Sequence, residues 1–93
     1  NKKSTLTWHL KRYFGITLDE YNVMLKNQND VCAICGSPPY KTDKKTMSLA
    51  VDHCHKSGKI RALLCHLCNN GLGAFKDNIE TMRIGIAYLE KHQ

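Results

Sequence analysis

Residues 49–69 read Leu49-Ala50-Val51-Asp52-His53-Cys54-His55-Lys56-Ser57-Gly58-Lys59-Ile60-Arg61-Ala62-Leu63-Leu64-Cys65-His66-Leu67-Cys68-Asn69. Two β-rich runs, residues 48–54 and 60–64, flank a turn at Lys56-Ser57-Gly58-Lys59, the pattern of a hairpin. The second run passes straight into a Cys-x2-Cys step, so the spacing predicts a short helix from about residue 66 to 71. A strand–strand–helix unit of this kind brings Asp52, near the end of the first strand, beside Asn69 on the helix. A carboxylate and a carboxamide oxygen are hard ligands suited to Mg2+ or Mn2+. His53 and His55 add imidazoles, which ordinarily titrate near neutral pH and can take a proton from water. An isolated Asp-His-x-His is a weak signal, because a polar run at a strand end is usually solvated. Its position inside the unit is what gives it weight.

Upstream lies a second Cys-x2-Cys step, Cys32-Ala33-Ile34-Cys35, separated by 29 residues from Cys65-His66-Leu67-Cys68. Four thiolates at this spacing predict one tetrahedral zinc with no open position, a structural ion distinct from any held by Asp52 and Asn69. The chain needs such an ion. A domain of 93 residues buries only about 60–65% of its unfolded surface. A thiolate zinc site adds roughly 10–16 kcal/mol that exists only in the folded state. Cys54 is left over and reads as a small buried hydrophobe on the hairpin. An odd cysteine count, no hydrophobic leader and no apolar run near the roughly 18 residues of a membrane span lead to the expectation of an intracellular, reducing setting and no membrane. Asn1 in place of Met leaves room for processing or truncation.

The formal charge of +6 is uneven: residues 1–12 and 41–61 carry +8 between them and the remainder −2. A polyanion is the natural partner, since neutralising phosphates releases condensed counterions. The expected phosphate contacts are Lys11 and Arg12 on an amino-terminal helix, Lys41, Lys44 and Lys45 on a loop, and Lys56, Lys59 and Arg61 on the hairpin. Trp8 and Arg12, four residues apart on a helix face, can stack on each other or on nucleic acid, or Trp8 can pack inside the domain.

Further out, residues 5–14 predict a helix with Leu6, Leu10, Tyr13 and Phe14 inward, stopped at Gly15. Thr17 and Glu20 form a capping box opening a second helix to about Gln28, with Leu18, Tyr21, Met24 and Leu25 inward. Residues 37–46, with both prolines, read as an exposed loop. Asp77 and Glu80 read as another capping box, opening a last helix to about Lys91 whose buried stripe is Ile79, Met82, Ile86 and Leu89. Ile84 and Tyr88 are expected to pack within the molecule, which favours a monomer, with a homodimer as the other outcome. The fold class is α+β: one domain over residues 1–93, with amino-terminal helices at 1–30, the knuckle and hairpin core at 31–76 and a carboxy-terminal helix at 77–93.

The order Cys-x2-Cys, then Leu-x-Val-Asp-His-x-His, then Gly-Lys-x-Arg-x-Leu-Leu-Cys-x2-Cys-Asn-x-Gly-Leu-Gly resembles the HNH, ββα-metal or His-Me finger nucleases, most of all the phage recombination endonuclease VII family. The likeness runs over roughly residues 17–90. It implies Asp52 and Asn69 as ligands of a single catalytic Mg2+ or Mn2+, His53 as general base and His55 as an auxiliary active-site imidazole. The implied activity is phosphodiester hydrolysis leaving 5′-phosphate and 3′-hydroxyl ends. Implied too are nicking or cleavage of duplex or branched DNA with little sequence specificity and, for a phage protein, work in the host cytoplasm. Where some HNH relatives place a further histidine, four residues beyond Asn69, this chain has Gly73. Endonuclease VII resolvases also carry a longer dimerising carboxy-terminal extension, so junction resolution is not implied for this chain. The rival reading is a non-catalytic zinc module that binds nucleic acid; a thiol redox protein would require a reactive dithiol.

Overall fold

The computed structural model describes residues 2–41, 43–44 and 46–93, with side chains except those of residues 2–7 and 46. Lys45 therefore lies outside the described residues, as does the Leu6 side chain. In chain order the elements are α1 (Lys2–Phe14), α2 (Leu18–Asn27), β1 (Tyr40–Lys41), β2 (Thr46–Met47), β3 (Ala50–His53), β4 (Ile60–Leu64), α3 (His66–Ala74) and α4 (Ile79–Lys91). The α+β class stands.

At the centre β3 and β4 pair antiparallel, Ala50 opposite Leu64 and Val51 opposite Leu63. Their turn closes through the Cys54 N–H to the Lys59 carbonyl and the Gly58 N–H to the Cys54 carbonyl, both 2.8 Å. Gly58 takes φ +77 there, a left-handed conformation that favours glycine. The pairing shifts by one residue between Asp52 and His53, since Asp52 faces Ala62 but His53 faces Ile60. Arg61 is the extra residue of this β-bulge, a device that re-aims side chains next to functional sites.

Leu10 of α1, Tyr21 of α2, Cys32, Leu49, Val51, Leu63 and Leu64 form the buried cluster, with Phe14, Leu18, Met24 and Leu25 packed around it. The Thr17–Glu20 capping box forms in both directions, at 2.8 and 3.1 Å. The Tyr21 hydroxyl donates to the Leu49 carbonyl at 2.6 Å, tying α2 to the start of β3.

Gln28, which caps the carboxy-terminal end of α2, has a role that its sequence position does not announce. Its amide nitrogen donates to the Leu63 carbonyl and its amide oxygen accepts from the Leu63 N–H, both at 2.9 Å, so one side chain pairs with the open edge of β4. The same nitrogen reaches the Val31 carbonyl at 2.9 Å. Gln28→Ala leaves the N–H of Leu63, a fully buried residue, without this partner. The expected cost is about 1–3 kcal/mol, read as a thermal midpoint about 4–8 °C lower for each kcal/mol. A midpoint within a degree of wild type in a melt of the zinc-loaded protein would contradict this.

Several expectations are corrected. The first helix begins at Lys2, not near Thr5, and Tyr13 points outward at 60% exposure. Trp8 is also exposed, with the Arg12 guanidinium 5.6 Å from its ring centre, so it stacks on its own helix and not into the domain. Residues 37–46 are not all loop, because β1 and β2 make a minimal antiparallel ladder. Cys54 is only half-buried.

The largest departure is α4. Asn78, not Asp77, caps it, its side chain accepting from the Thr81 N–H. The predicted stripe is not buried: Ile79, Ile86 and Leu89 are 57–67% exposed, as are Ile84 and Tyr88 on the neighbouring face. The helix approaches the half-exposed Phe75 ring at Gly85, where an added Cβ would lie 3.6 Å from it. Accordingly the radius of gyration is 15.1 Å, against about 12 Å for a compact domain of this length. The intramolecular packing that favoured a monomer is absent from the described structure.

Candidate active site and metal centre

The two Cys-x2-Cys steps converge. The sulfurs of Cys32, Cys35, Cys65 and Cys68 lie within 4.8 Å of one another, and Cys35 Sγ is 3.7 Å from Cys65 Sγ. A tetrahedral ion at about 2.3 Å from each sulfur requires edges of about 3.8 Å, so the cluster fits zinc.

Local backbone geometry prepares this site. The Ile34 N–H points at Cys32 Sγ and the Cys68 N–H at Cys65 Sγ, each at 3.4 Å, and the Cys65 sulfur thereby caps α3. Gly36 takes φ +74 to close the first knuckle onto the Cys32 carbonyl. Burial pushes the Cys32 thiol up, but N–H groups of Cys65, Cys35 and Ile34 outweigh it and bring it down to about 6. Cys68 is pushed up to about 12, by burial first and then by the neighbouring sulfurs. Four sulfurs so close cannot all be charged without a cation, and a dication supplies the missing charge.

Among the described residues, no other His, Cys, Asp and Glu side chains converge in this way. The second site is a cleft of about 710 Å³ whose lining includes Asp52, His53, His55, Asn69, Asn70 and Gly73. The bulge ends β3 at its mouth, and α3 presents Asn69 from the turn after Cys68, so the zinc knuckle and the cleft share one helix. The His53 ring is 5.8 Å from that of Phe14 and 4.9 Å from that of His55. Phe14, which sequence reasoning placed only in the core, thus also forms the wall behind the imidazole. Gly73 lines the cleft without a ligating side chain, as its identity requires.

Asp52 is 8% exposed, and it is paired. Arg61 Nε donates to Asp52 Oδ2 at 2.6 Å and its terminal nitrogen to Oδ1 at 3.0 Å, a bidentate fork. The same terminal nitrogen reaches Asp77 Oδ2 at 3.2 Å. Arg61, expected as a phosphate contact, is instead held by two acids. Each carboxylate oxygen of Asp52 keeps a further lone pair, and with the Asn69 carboxamide oxygen on the same cleft it offers the hard-oxygen chemistry that would suit Mg2+ or Mn2+.

Of the other expected cations, Lys11, Arg12, Lys41, Lys44, Lys56 and Lys59 are surface residues on α1, the β1–β2 hairpin and the β3–β4 turn. The Cys54 thiol is lowered to about 7 by the Ser57 hydroxyl, the N–H groups of Ser57 and Lys56, and the nearby Arg61 charge.

A four-cysteine cluster of zinc-binding geometry beside a hairpin–helix cleft lined with hard donors and imidazoles defines a small zinc-stabilised α+β domain with a second, separate site. The recombination endonuclease VII family model matches residues 7–91, and the chain belongs to that family. It is 37% identical over 92 residues to the Gene 59 protein of Mycobacterium phage D29, covering 96% of this chain and 53% of that protein. It is 38% identical over 90 residues to the Gene 59 protein of Mycobacterium phage L5, covering 94% of this chain and 52% of that protein. The chain thus spans about half the length of the curated relatives it matches. No solved structure matches the chain significantly. No helix among the described residues is long and apolar enough to cross a membrane.

Proposed function

We propose that residues 1–93 act as one HNH-type nuclease unit that hydrolyses DNA phosphodiester bonds, with zinc on the four cysteines and one Mg2+ or Mn2+ at Asp52 and Asn69. The observation that carries this reading is the shared cleft: Asp52, His53, His55 and Asn69 come from β3, the turn after it and α3, and line one cavity beside a separate sulfur cluster. A divalent ion bound there supplies Lewis-acid stabilisation of the phosphate and of the departing 3′ oxygen. His53, wedged between Phe14 and His55, is the proton acceptor that readies water for attack. His55 stands at the rim, its Nε2 3.9 Å from Asp77 Oδ2, and steadies the phosphate or His53 from that side.

DNA is held through phosphates by the cations of α1, the β1–β2 hairpin and the β3–β4 turn, with the exposed Trp8–Arg12 stack as a flat ledge beside them. No side chain is assigned to base edges, so the substrate is duplex or branched DNA read by shape. That the relatives are mycobacteriophage proteins supports a place of work inside an infected cell.

The second reading, a non-catalytic zinc module, draws on the Asp52–Arg61 fork, since a carboxylate so engaged could serve only to brace the hairpin. Plasmid nicking with and without Mg2+ or Mn2+ separates the two, and matched linear, nicked and branched duplexes then rank the substrates. Log affinity for DNA is expected to fall linearly with log salt, the slope easing by about one unit for each phosphate-contacting lysine replaced, Lys41→Gln and Lys59→Gln among them. A flat plot would remove the basic segments from the interface.

A further inference from the structure

We propose that Arg61 is a movable counter-ion which holds Asp52 when no cation is bound and shifts onto Asp77 when one binds, making Asp77 the positioning residue that sets the affinity of the catalytic ion. This rests on the metal-dependent reading above.

Three observations place the device. First, the β-bulge makes Arg61 the extra residue of β4, opposite no residue of β3, which gives its side chain a course outside the regular ladder. Second, its guanidinium is already shared: Nε and one terminal nitrogen take both oxygens of Asp52, while that same terminal nitrogen takes Asp77 Oδ2 at 3.2 Å. The move to Asp77 therefore keeps one existing bond and exchanges the others. Third, there is room on the far side. A second cleft of about 570 Å³ adjoins the first, and its lining includes Arg61, Asp77, Lys76, His55 and Gly73.

Asp77 reaches this position by a costly backbone route. Lys76 and Asp77 both take left-handed φ, +57 and +55, between α3 and α4. Two consecutive non-glycine residues of this kind are uncommon. The helix cap passes to Asn78 as a result, and the Asp77 carboxylate is left to face Arg61 and His55. A dication on Asp52 stands next to the guanidinium that shares the carboxylate. Their repulsion is relieved only if Arg61 has another acid to engage, and Asp77 is that acid.

The test is Mn2+ binding to the zinc-loaded chain, followed by electron paramagnetic resonance without DNA. Arg61→Gln removes the competing cation and is expected to tighten Mn2+ binding roughly tenfold, whereas Asp77→Asn is expected to weaken it several-fold. In the Arg61→Gln background Asp77→Asn should change affinity by less than about twofold, because Asp77 acts through Arg61 and not through its field alone. Arg61→Lys keeps the charge but loses the fork, and gives an intermediate affinity if Arg61→Gln fails to fold. In the wild type the Arg61 Nε–H resonance should move on adding Mg2+, and in Asp52→Asn it should not.

Mn2+ binding lost in Asp52→Asn but unchanged in both Arg61 variants overturns this inference alone. So does an Asp77→Asn effect that persists undiminished without Arg61. Mn2+ binding untouched by Asp52→Asn overturns the metal reading and this inference together.

Discussion

His53→Ala is expected to lower metal-dependent DNA cleavage by roughly 10²–10⁴-fold, the usual contribution of a general base, while leaving zinc content, helicity and DNA affinity in place. That corresponds to about 3–5 kcal/mol of transition-state stabilisation. The fold tolerates the loss because His53 is only half-buried and Phe14 remains packed on the core. Asp52→Ala should abolish turnover with Mg2+ and still retain zinc, since the sulfurs form a separate cluster. Arg61 does not become a lone charge in that variant, because Asp77 stays within reach of it. Asn69→Asp keeps an oxygen ligand and adds charge, so it should tighten metal binding or change metal preference, whereas Asn69→Ala should be inactive. Wild-type cleavage rates for both His53→Ala and Asp52→Ala under one metal condition would leave the non-catalytic module as the better account.

Stripping the metal from the cysteine cluster is expected to abolish cooperative unfolding altogether. The buried hydrophobic cluster among the described residues is Leu10, Tyr21, Cys32, Leu49, Val51, Leu63 and Leu64, and one of these is itself a sulfur ligand. The roughly 10–16 kcal/mol of a structural zinc site equals or exceeds the about 5–15 kcal/mol by which a typical domain is stable. The knuckles also hold the hairpin: the Ala33 N–H bonds the Leu63 carbonyl at 3.1 Å, and Cys65 caps α3. Chelation should therefore erase far-UV helicity and the calorimetric transition together. Cys35→Ser should behave like the chelated protein, while Cys54→Ser, outside the cluster, should keep its zinc. A metal-free protein that melts sharply at an unchanged temperature would contradict this account.

Where the controlling interactions were short in sequence, they were legible. The Thr17–Glu20 box depends on residues three apart, and the hairpin turn on Gly58. The sulfur cluster follows from paired spacings whose chemistry permits few alternatives. Asp52, His53, His55 and Asn69 could be grouped because strand, turn and helix follow one another directly.

What escaped depended on register or on a distant surface. A one-residue shift between β3 and β4 decides that Arg61 meets Asp52, and no periodicity in β4 reveals such a shift. Asp77 and Asn78 are both competent caps, and the choice was made by backbone angles at Lys76 and Asp77. Gln28 gains its role only once Leu63, 35 residues away, arrives beside it. β1 and β2 are two residues each, too short for a pattern to register.

The apolar period of α4 predicts its helix but not its exposure, since periodicity reports a face and not what covers it. Its isolation has an energetic meaning. Thirteen residues is close to the length below which a lone helix is marginal in water, about 12–15. With little side-chain packing to reinforce it, α4 is expected to open at a lower free energy than the hairpin and the sulfur cluster, an order that amide hydrogen exchange would read directly. Lys76 and Asp77, which join it to α3, sit at the border between the body built around the sulfur cluster and this sparsely packed helix. The Asp77 carboxylate that Arg61 touches is thus carried at the seam between two levels of local packing, one residue from the cap of α4.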